Sequence, residues 1–270
     1  REYEAGTTLA EVAKSLGMKL YKAACAGKVN GEAKDLRFPL NEDCEVEICT
    51  FDDPEGKHAF WHTSSHILAQ AVLRLYPEAK FAIGPAIDNG FYYDFDVQPP
   101  FTNEDLPKIE DEMRKIVKEG LTIECVIPSR EYLDEHFAKQ PYKQELIEKH
   151  TQTSESPVSV YTQGEFTDLC AGPHLLDTSP VKAIKLTSAT GAYWHGDSRL
   201  PMLSRIYGIT FPKASQLEEY LVLLEEAKKR DHRKLGKELS LFAMMEEGPG
   251  LPFLLPQWMI AKNEFIDHCP

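Results

Sequence analysis

Between residues 62 and 76 apolar residues recur at helical spacing: Ile67, Leu68, Ala71, Val72 and Leu75 share one face, and Pro77 ends the run. The spacing predicts a helix there, and a second over roughly 104–119. From 215 to 234, Leu217, Tyr220, Leu221, Leu224 and Ala227 form one stripe, predicting a long helix with a basic end that connects two domains. Near the start, Thr8 and Glu11 have capping-box spacing before a short helix that Gly17 can close. Asn30-Gly31 predicts a two-residue hairpin turn. Cys44, Val46 and Ile48 alternate with Glu45 and Glu47 as a half-buried strand does, and further strands are expected at 90–97, 121–127, 158–161 and 182–187. Residues 1–50 thus read as a small β, α, ββ unit with a shortened first strand. Asp52-Asp53-Pro54-Glu55-Gly56 reads as a linker, and 57–211 as an α+β domain. The segment through Gly248-Pro249-Gly250 starts a further unit.

Composition narrows the class. With 270 residues, 42% hydrophobic and 27% charged, the chain has the balance of a soluble globular protein, and no apolar run approaches a bilayer span, so no membrane partner is expected. The six cysteines show no CxxC pairing, which indicates neither a disulfide framework nor a zinc ribbon. A formal charge of -13 opposes non-specific binding to nucleic acid, so RNA contact is expected only locally, at Lys228, Lys229, Arg230, His232, Arg233, Lys234 and Lys237. The first eleven residues lack the regions of a signal peptide and no methionine stands at the start, so the chain reads as a trimmed piece of a cytoplasmic protein.

Several residues can carry chemistry. His62 and His66, four apart on a helix, project toward one point, and Cys170 and His174 repeat the spacing around Gly172-Pro173. Together they are a possible zinc set. The motif HTSSH lacks the glutamate of the HExxH helix, which argues against metalloprotease chemistry. Asp168 lies on the same side of an extended segment as Cys170 and can orient an imidazole or polarise a water, whereas Cys170 can equally be a small buried hydrophobe. The turn-rich then aromatic segment 84–94 can bring backbone and a phenol close to a ligand. On composition alone Lys143 reads as a solvated surface lysine.

Five segments in order, HTSSHILAQAV (62–72), IGPAIDNGFYYDFD (83–96), GEFTDLCAGPH (164–174), GAYWHGD (191–197) and EEAKKRDHRKLGKEL (225–239), resemble the threonyl-tRNA synthetases. The resemblance implies an α+β chain. Its parts would be a ubiquitin-like β-grasp TGS domain (1–51), an editing domain (57–211), a linker helix (212–234) and the truncated start of a class II catalytic domain (235–270). It implies hydrolysis of serine wrongly attached to the tRNA for threonine, with His62, His66, Lys143, Asp168, Cys170 and His174 as catalytic residues and Gly84 and Tyr93 at the substrate. His62 or Lys143 would hold the water, and a lysine desolvated beside imidazoles would have a lowered pKa. Asp168 and His174 would orient, and Cys170 would shape the pocket. RNA contact would fall on Lys228, Lys229, Arg230, Arg233 and Lys234. No cofactor is expected for editing. ATP, magnesium and zinc belong to the catalytic part of the longer protein, which would join threonine to its tRNA and dimerise through that part, leaving the fragment monomeric. Two alternatives stay open: a zinc-dependent ester hydrolase using His62, His66, Cys170 and His174, like the editing domain of alanyl-tRNA synthetase, and a non-catalytic RNA-binding module. Ala171 stands where many members have arginine, and Ser64-Ser65 where cysteine-alanine is more usual. The serine pair is expected to be neutral.

Overall fold

The computed structural model describes residues 1–153, 158–245 and 251–268. They form two compact units, Arg1–Ala214 and Ser215–Pro270. The protein is α+β throughout.

The first unit opens with a β-grasp domain. Thr8 ends a short strand, β1 (Thr7–Thr8), and caps helix α1 (Leu9–Leu16) through the reciprocal bonds with Glu11 that the spacing predicts. Gly17 ends that helix and leads into α2 (Met18–Ala23). Strands β2 (Ala24–Val29) and β3 (Glu32–Lys34) follow as a hairpin, and both turn residues, Asn30 and Gly31, have the positive φ that such a turn requires. Strand β4 (Pro39–Leu40) pairs with β1, and β5 (Val46–Thr50) lies antiparallel to β2. The expected alternation along β5 holds only in part. Val46 and Ile48 are half-buried, and Cys49 on the opposite face is fully buried against Ala26 and Ala59. The reason is that both faces of this small sheet are covered, one by α1 and the other by the following helix.

That following helix, α3 (Pro54–Leu75), corrects the expected linker. Asp52 to Gly56 form a turn and the first helical turn: proline at the first helical position gives up an amide that has no intrahelical partner in any case. The Asp53 carboxylate turns back to accept the amide and hydroxyl of Thr50 at 2.7 and 3.1 Å. Phe51 packs edge-on against Phe60 and Phe211, with centroids at 4.8 and 5.7 Å, and Trp61 Nε1 donates to the Thr210 carbonyl at 3.0 Å. The small domain therefore runs directly into the central helix of the larger one.

Helix α3 lies against an antiparallel sheet. Strands β6 (Lys80–Phe81) and β7 (Ala86–Ile87) both pair with β8 (Gly90–Asp96). Helix α4 (Leu106–Glu119) packs beside α3 and is closed by Gly120 in the left-handed conformation. A smaller sheet holds β9 (Ile123–Val126), β10 (Val160–Gln163) and β11 (Phe166–Leu169), with β10 in the middle, and helices α5 (Arg130–His136) and α6 (Pro141–Thr153) lie between β9 and β10 in sequence. The main sheet is completed by β12 (Ala183–Tyr193) and β13 (Met202–Phe211), in the order β12-β13-β8-β6. Strand β12 is nearly twice its predicted length, and an irregularity between Leu186 and Ser188 hides its second half from a simple alternation.

In the second unit the predicted long helix is two: α7 (Ala214–Lys229) and α8 (His232–Glu238). Asp231 divides them because its carboxylate accepts the Arg233 amide at 2.8 Å and caps a new helix start. Strands β14 (Phe242–Met244) and β15 (Pro252–Leu254) pair, and α9 (Pro256–His268) follows. Gly248-Pro249-Gly250, read as part of the start of a further unit, lies outside the described residues, as does Cys269. Among the described residues no helix is long and apolar enough to cross a membrane.

A Cβ on Gly56 would fall 1.9 Å from the Thr50 carbonyl oxygen, where only backbone could yield. Gly56→Ala is expected to lower unfolding stability by about 1–3 kcal/mol, measured by urea denaturation; an unchanged midpoint would contradict this junction.

Candidate functional site

Helix α3 brings His62 and His66 to one face, with ring centroids 5.4 Å apart. His174, in the turn after β11, lies over both, its centroid 4.2 Å from each. Cys170 Sγ stands between His62 Nε2 and His174 Nε2, 3.1 Å from each. A second group touches the first. Asp168 Oδ2 is 3.6 Å from His66 Nε2 and accepts the Tyr93 hydroxyl at 2.6 Å. Lys143 pairs with Asp168 Oδ1 and donates to the Tyr93 oxygen at 3.1 Å. Lys143 is thus buried, contrary to its reading from composition as a surface lysine: α6 turns it inward, onto the carboxylate. It faces Asp168 as well as imidazole, so it is not the isolated ammonium that the sequence reading pictured. Gly84 lies against the Tyr93 ring, where a Cβ would come within 2.0 Å of Cδ2, and its carbonyl accepts the Ser65 hydroxyl. That bond ties the Gly84 loop to α3, a task for Ser65 that its reading as neutral did not include.

Burial sets the protonation of this group. His62 and His66 are each lowered to about 3, first by desolvation and then by a neighbouring group: His66 acts on His62, and the Lys143 ammonium on His66. His174 is also held well below the usual imidazole range, by burial first and then by the other two histidines. All three rings are neutral near pH 7, so the His66 to Asp168 contact is not an ion pair. Burial pushes the Cys170 thiol up to about 12, and the Tyr93 phenol is raised by burial and by Asp168.

The tautomer of His174 follows from its neighbours. Thr63 Oγ1 donates its one proton to the Ala59 carbonyl at 2.9 Å and accepts the Leu175 amide at 2.9 Å. Its 3.2 Å contact with His174 Nδ1 must then be donated by the ring, which leaves Nε2 with a lone pair facing Cys170. His62, half-buried, has a buried Nδ1 with no hydrogen-bond partner among the described residues; the Pro173 carbonyl acts on the ring only as the weakest of its influences. A cavity of about 130 Å³ opens beside Lys143 and Asp168, lined also by Phe81, Gln140 and Phe166. A wider groove, about 590 Å³, lies away from this chemistry in the small domain.

The donor atoms of His62, His66, Cys170 and His174 lie within 4.8 Å of one another. The residues fit zinc in type and number. The Thr63 contact is the kind of support that orients a ligating imidazole, and among the described residues His62 Nδ1 has no such partner.

The basic residues expected to meet RNA are exposed in the second unit and partly matched by acids: Lys229 and Arg230 reach Glu226 at 3.0 and 3.6 Å, Arg233 reaches Asp231 at 3.9 Å, and Lys234 reaches Glu238 at 3.9 Å. The sequence reading did not single out Thr63, which stands inside the histidine motif and could have been noticed there. It also missed Asp35 and Tyr161, for which no local signal exists.

Residues 1–50 match the TGS domain family, and 158–207 match the family described as the threonyl and alanyl tRNA synthetase second additional domain. The second of these families is a domain of threonyl and alanyl tRNA synthetases, and its match includes Asp168, Cys170 and His174. Over nearly all its length the chain is homologous to threonine–tRNA ligases. It is 57% identical over 99% of its residues to the enzyme of Caldanaerobacter subterraneus, 55% over 99% to that of Acetivibrio thermocellus, and 54% over 98% to that of Desulforamulus reducens. In each case it spans 42% of the relative's length.

The histidines carry a pH signature. Unfolded, they take up protons near pH 6.5; folded, His62 and His66 refuse them until about 3. The unfolded state therefore binds more protons between those limits, and stability present above pH 6.5 is lost as pH falls. Thermal midpoints are expected to decline from pH 7 to 5, less steeply in His66→Gln, while the His62 and His66 ring signals in NMR keep their neutral-form shifts at pH 5. Ring titration near 6.5 would contradict this burial.

Proposed function

We propose that this chain hydrolyses the ester of serine wrongly attached to the tRNA for threonine, as the proofreading part of a longer threonine–tRNA ligase. The observation that carries the reading is the joining of three neutral imidazoles to a buried Lys143–Asp168–Tyr93 group in a chain homologous to those ligases. Threonine and serine differ by one methyl, which a single pocket distinguishes by about 1–3 kcal/mol. A second site that admits only the smaller residue multiplies the selectivity.

The water oxygen adds to the ester carbonyl, the bond to the ribose oxygen breaks, and that oxygen takes up a proton. His62 suits the role of holding the water as a neutral acceptor, since its Nδ1 has no partner among the described residues, and the proton that the water gives up passes to the leaving ribose oxygen. Lys143 uses two donors on Asp168 and Tyr93 and retains a third for the charge that develops on the carbonyl oxygen. Asp168 holds Lys143 and Tyr93 in place, His174 steadies Cys170, and Gly84 sets the position of Tyr93. The ester is already an activated acyl group, so positioning supplies much of the rate.

A second reading has an observation of its own in the four-donor set: His62, His66, Cys170 and His174 would hold zinc, which supplies Lewis acidity to the carbonyl when bound. Joining threonine to tRNA with ATP and magnesium, together with dimer formation, belongs to the longer protein in this proposal, and the basic run of the second unit meets the tRNA.

The purified chain is expected to deacylate seryl-tRNA much faster than threonyl-tRNA, to lose roughly 10²-fold in rate on His62→Ala, and to keep its rate in a chelator. Equal hydrolysis of both charged tRNAs would remove the size sieve, and loss in chelator restored by zinc would select the second reading. Replacing Lys228, Lys229, Arg230, Arg233 and Lys234 by alanine is expected to weaken tRNA binding and flatten its salt dependence, read by binding at several salt concentrations. An unchanged slope would leave the run a solvated surface.

A further inference from the structure

We propose that Asp35, in the small amino-terminal domain, is a positioning residue for the hydrolytic site: it fixes His174 from a domain that contributes no group to the chemistry. The inference rests on the proposed ester hydrolysis for its effect on rate, and on geometry alone for the contact.

Asp35 follows strand β3 and is mostly buried, with 15% of its side chain exposed. Its Oδ2 accepts the backbone amide of His174 at 3.1 Å and the hydroxyl of Tyr161 at 3.2 Å. The Tyr161 ring lies against the His174 ring with centroids 4.4 Å apart. Asp35 Oδ1 accepts the amide of Arg37 at 2.9 Å and its Nη1 at 2.7 Å. The guanidinium then crosses the domain boundary: Nη2 donates to the carbonyls of Ile123, Leu175 and Leu176. Carboxylate and guanidinium together hold the chain on both sides of His174, at its own amide and at the next two carbonyls.

Apart from Asp35 and Arg37, the contacts that hold His174 among the described residues come from within the larger domain. Thr63 holds Nδ1, and the rings of His62 and His66 cover one side. Asp35 supplies the restraint on the main chain and, through Tyr161, on the remaining side of the ring. A displaced His174 would turn Nε2 away from Cys170 and uncover His62. Loss of such an orienting partner typically costs activity about 10–100-fold, because reacting groups tolerate little misplacement. An alanine at 35 also leaves a buried amide and a phenol hydroxyl unpaired.

The test uses the whole 270-residue chain. Asp35→Ala is expected to lower kcat for seryl-tRNA deacylation about tenfold with KM within about twofold, and to displace the His174 ring ¹⁵N signals in the absence of substrate. Asp35→Asn, which keeps an acceptor oxygen for the amide and the phenol but turns its NH2 toward the donors of Arg37, is expected to recover part of both. A parent-like kcat in Asp35→Ala, or unmoved His174 signals, overturns the proposal. Should the parent chain not hydrolyse seryl-tRNA, the functional reading fails by itself and the ring signals alone decide: displaced supports the contact, unmoved overturns it. If Asp35→Ala does not fold, Tyr161→Phe removes one of the two bonds to Oδ2; displaced His174 signals then support the proposal and unmoved ones overturn it.

Discussion

A carboxylate and an ammonium shut away from water constrain the larger domain more than any other contact. Asp168 and Lys143 are both almost fully buried, and a buried ion pair repays the loss of hydration only when hydrogen bonds satisfy what remains. Asp168 meets that demand with Lys143, the Tyr93 hydroxyl and the amide of Leu169. Strand β8 must therefore present Tyr93 inward, the backbone at Gly84 must lie flat on its ring, and α6 must stay docked. The docking has its own anchor: Tyr142 packs edge-on to Trp194 at 5.1 Å, and Glu145 accepts Trp194 Nε1 at 3.0 Å and contacts His195 Nε2 at 2.7 Å. His195 reaches that contact from a left-handed backbone, φ 53°, uncommon for a residue with a side chain.

Parts of this were readable in the residues because their causes are local. Capping at Thr8, the Asn30-Gly31 turn and the pairing of His62 with His66 depend on spacings of one to four residues. The start of α3 was misread because proline and aspartate mark a turn and a helix start alike, and the choice was made by Thr50, which the Asp53 carboxylate could reach. Lys143 could not be assigned from its neighbours, since its burial depends on Asp168, 25 positions away on another element. Its role entered only through resemblance. The contact of Asp35 with His174 spans 139 positions and left no periodic trace.

Neutral imidazoles and a protonated thiol form a group with little net charge. The positive end of the site is Lys143, the negative end Asp168, and the histidines bridge between that pair and the half-open side at His62. The ester group of the proposed substrate is itself uncharged, and such a site can approach it without a large desolvation cost on either side. Thr63 is central here. By fixing one tautomer it leaves the nitrogen of His174 that faces Cys170 without a proton, whichever of the two hydrolytic readings holds.

The bond from Asp35 to the His174 amide also bears on how these domains are inherited. Families of sequences are usually compared module by module, and residues 1–50 match one family while 158–207 match another. A boundary drawn between them cuts through a hydrogen-bonded carboxylate, so the small domain cannot be traded freely between relatives. A graft that preserves the β-grasp core but alters the loop after β3 would carry a folded domain and an unsupported histidine. Substitutions at 35, 37, 161 and 174 are thus expected to drift as a set across the joint, a seam in the sequence that is not a seam in the molecule.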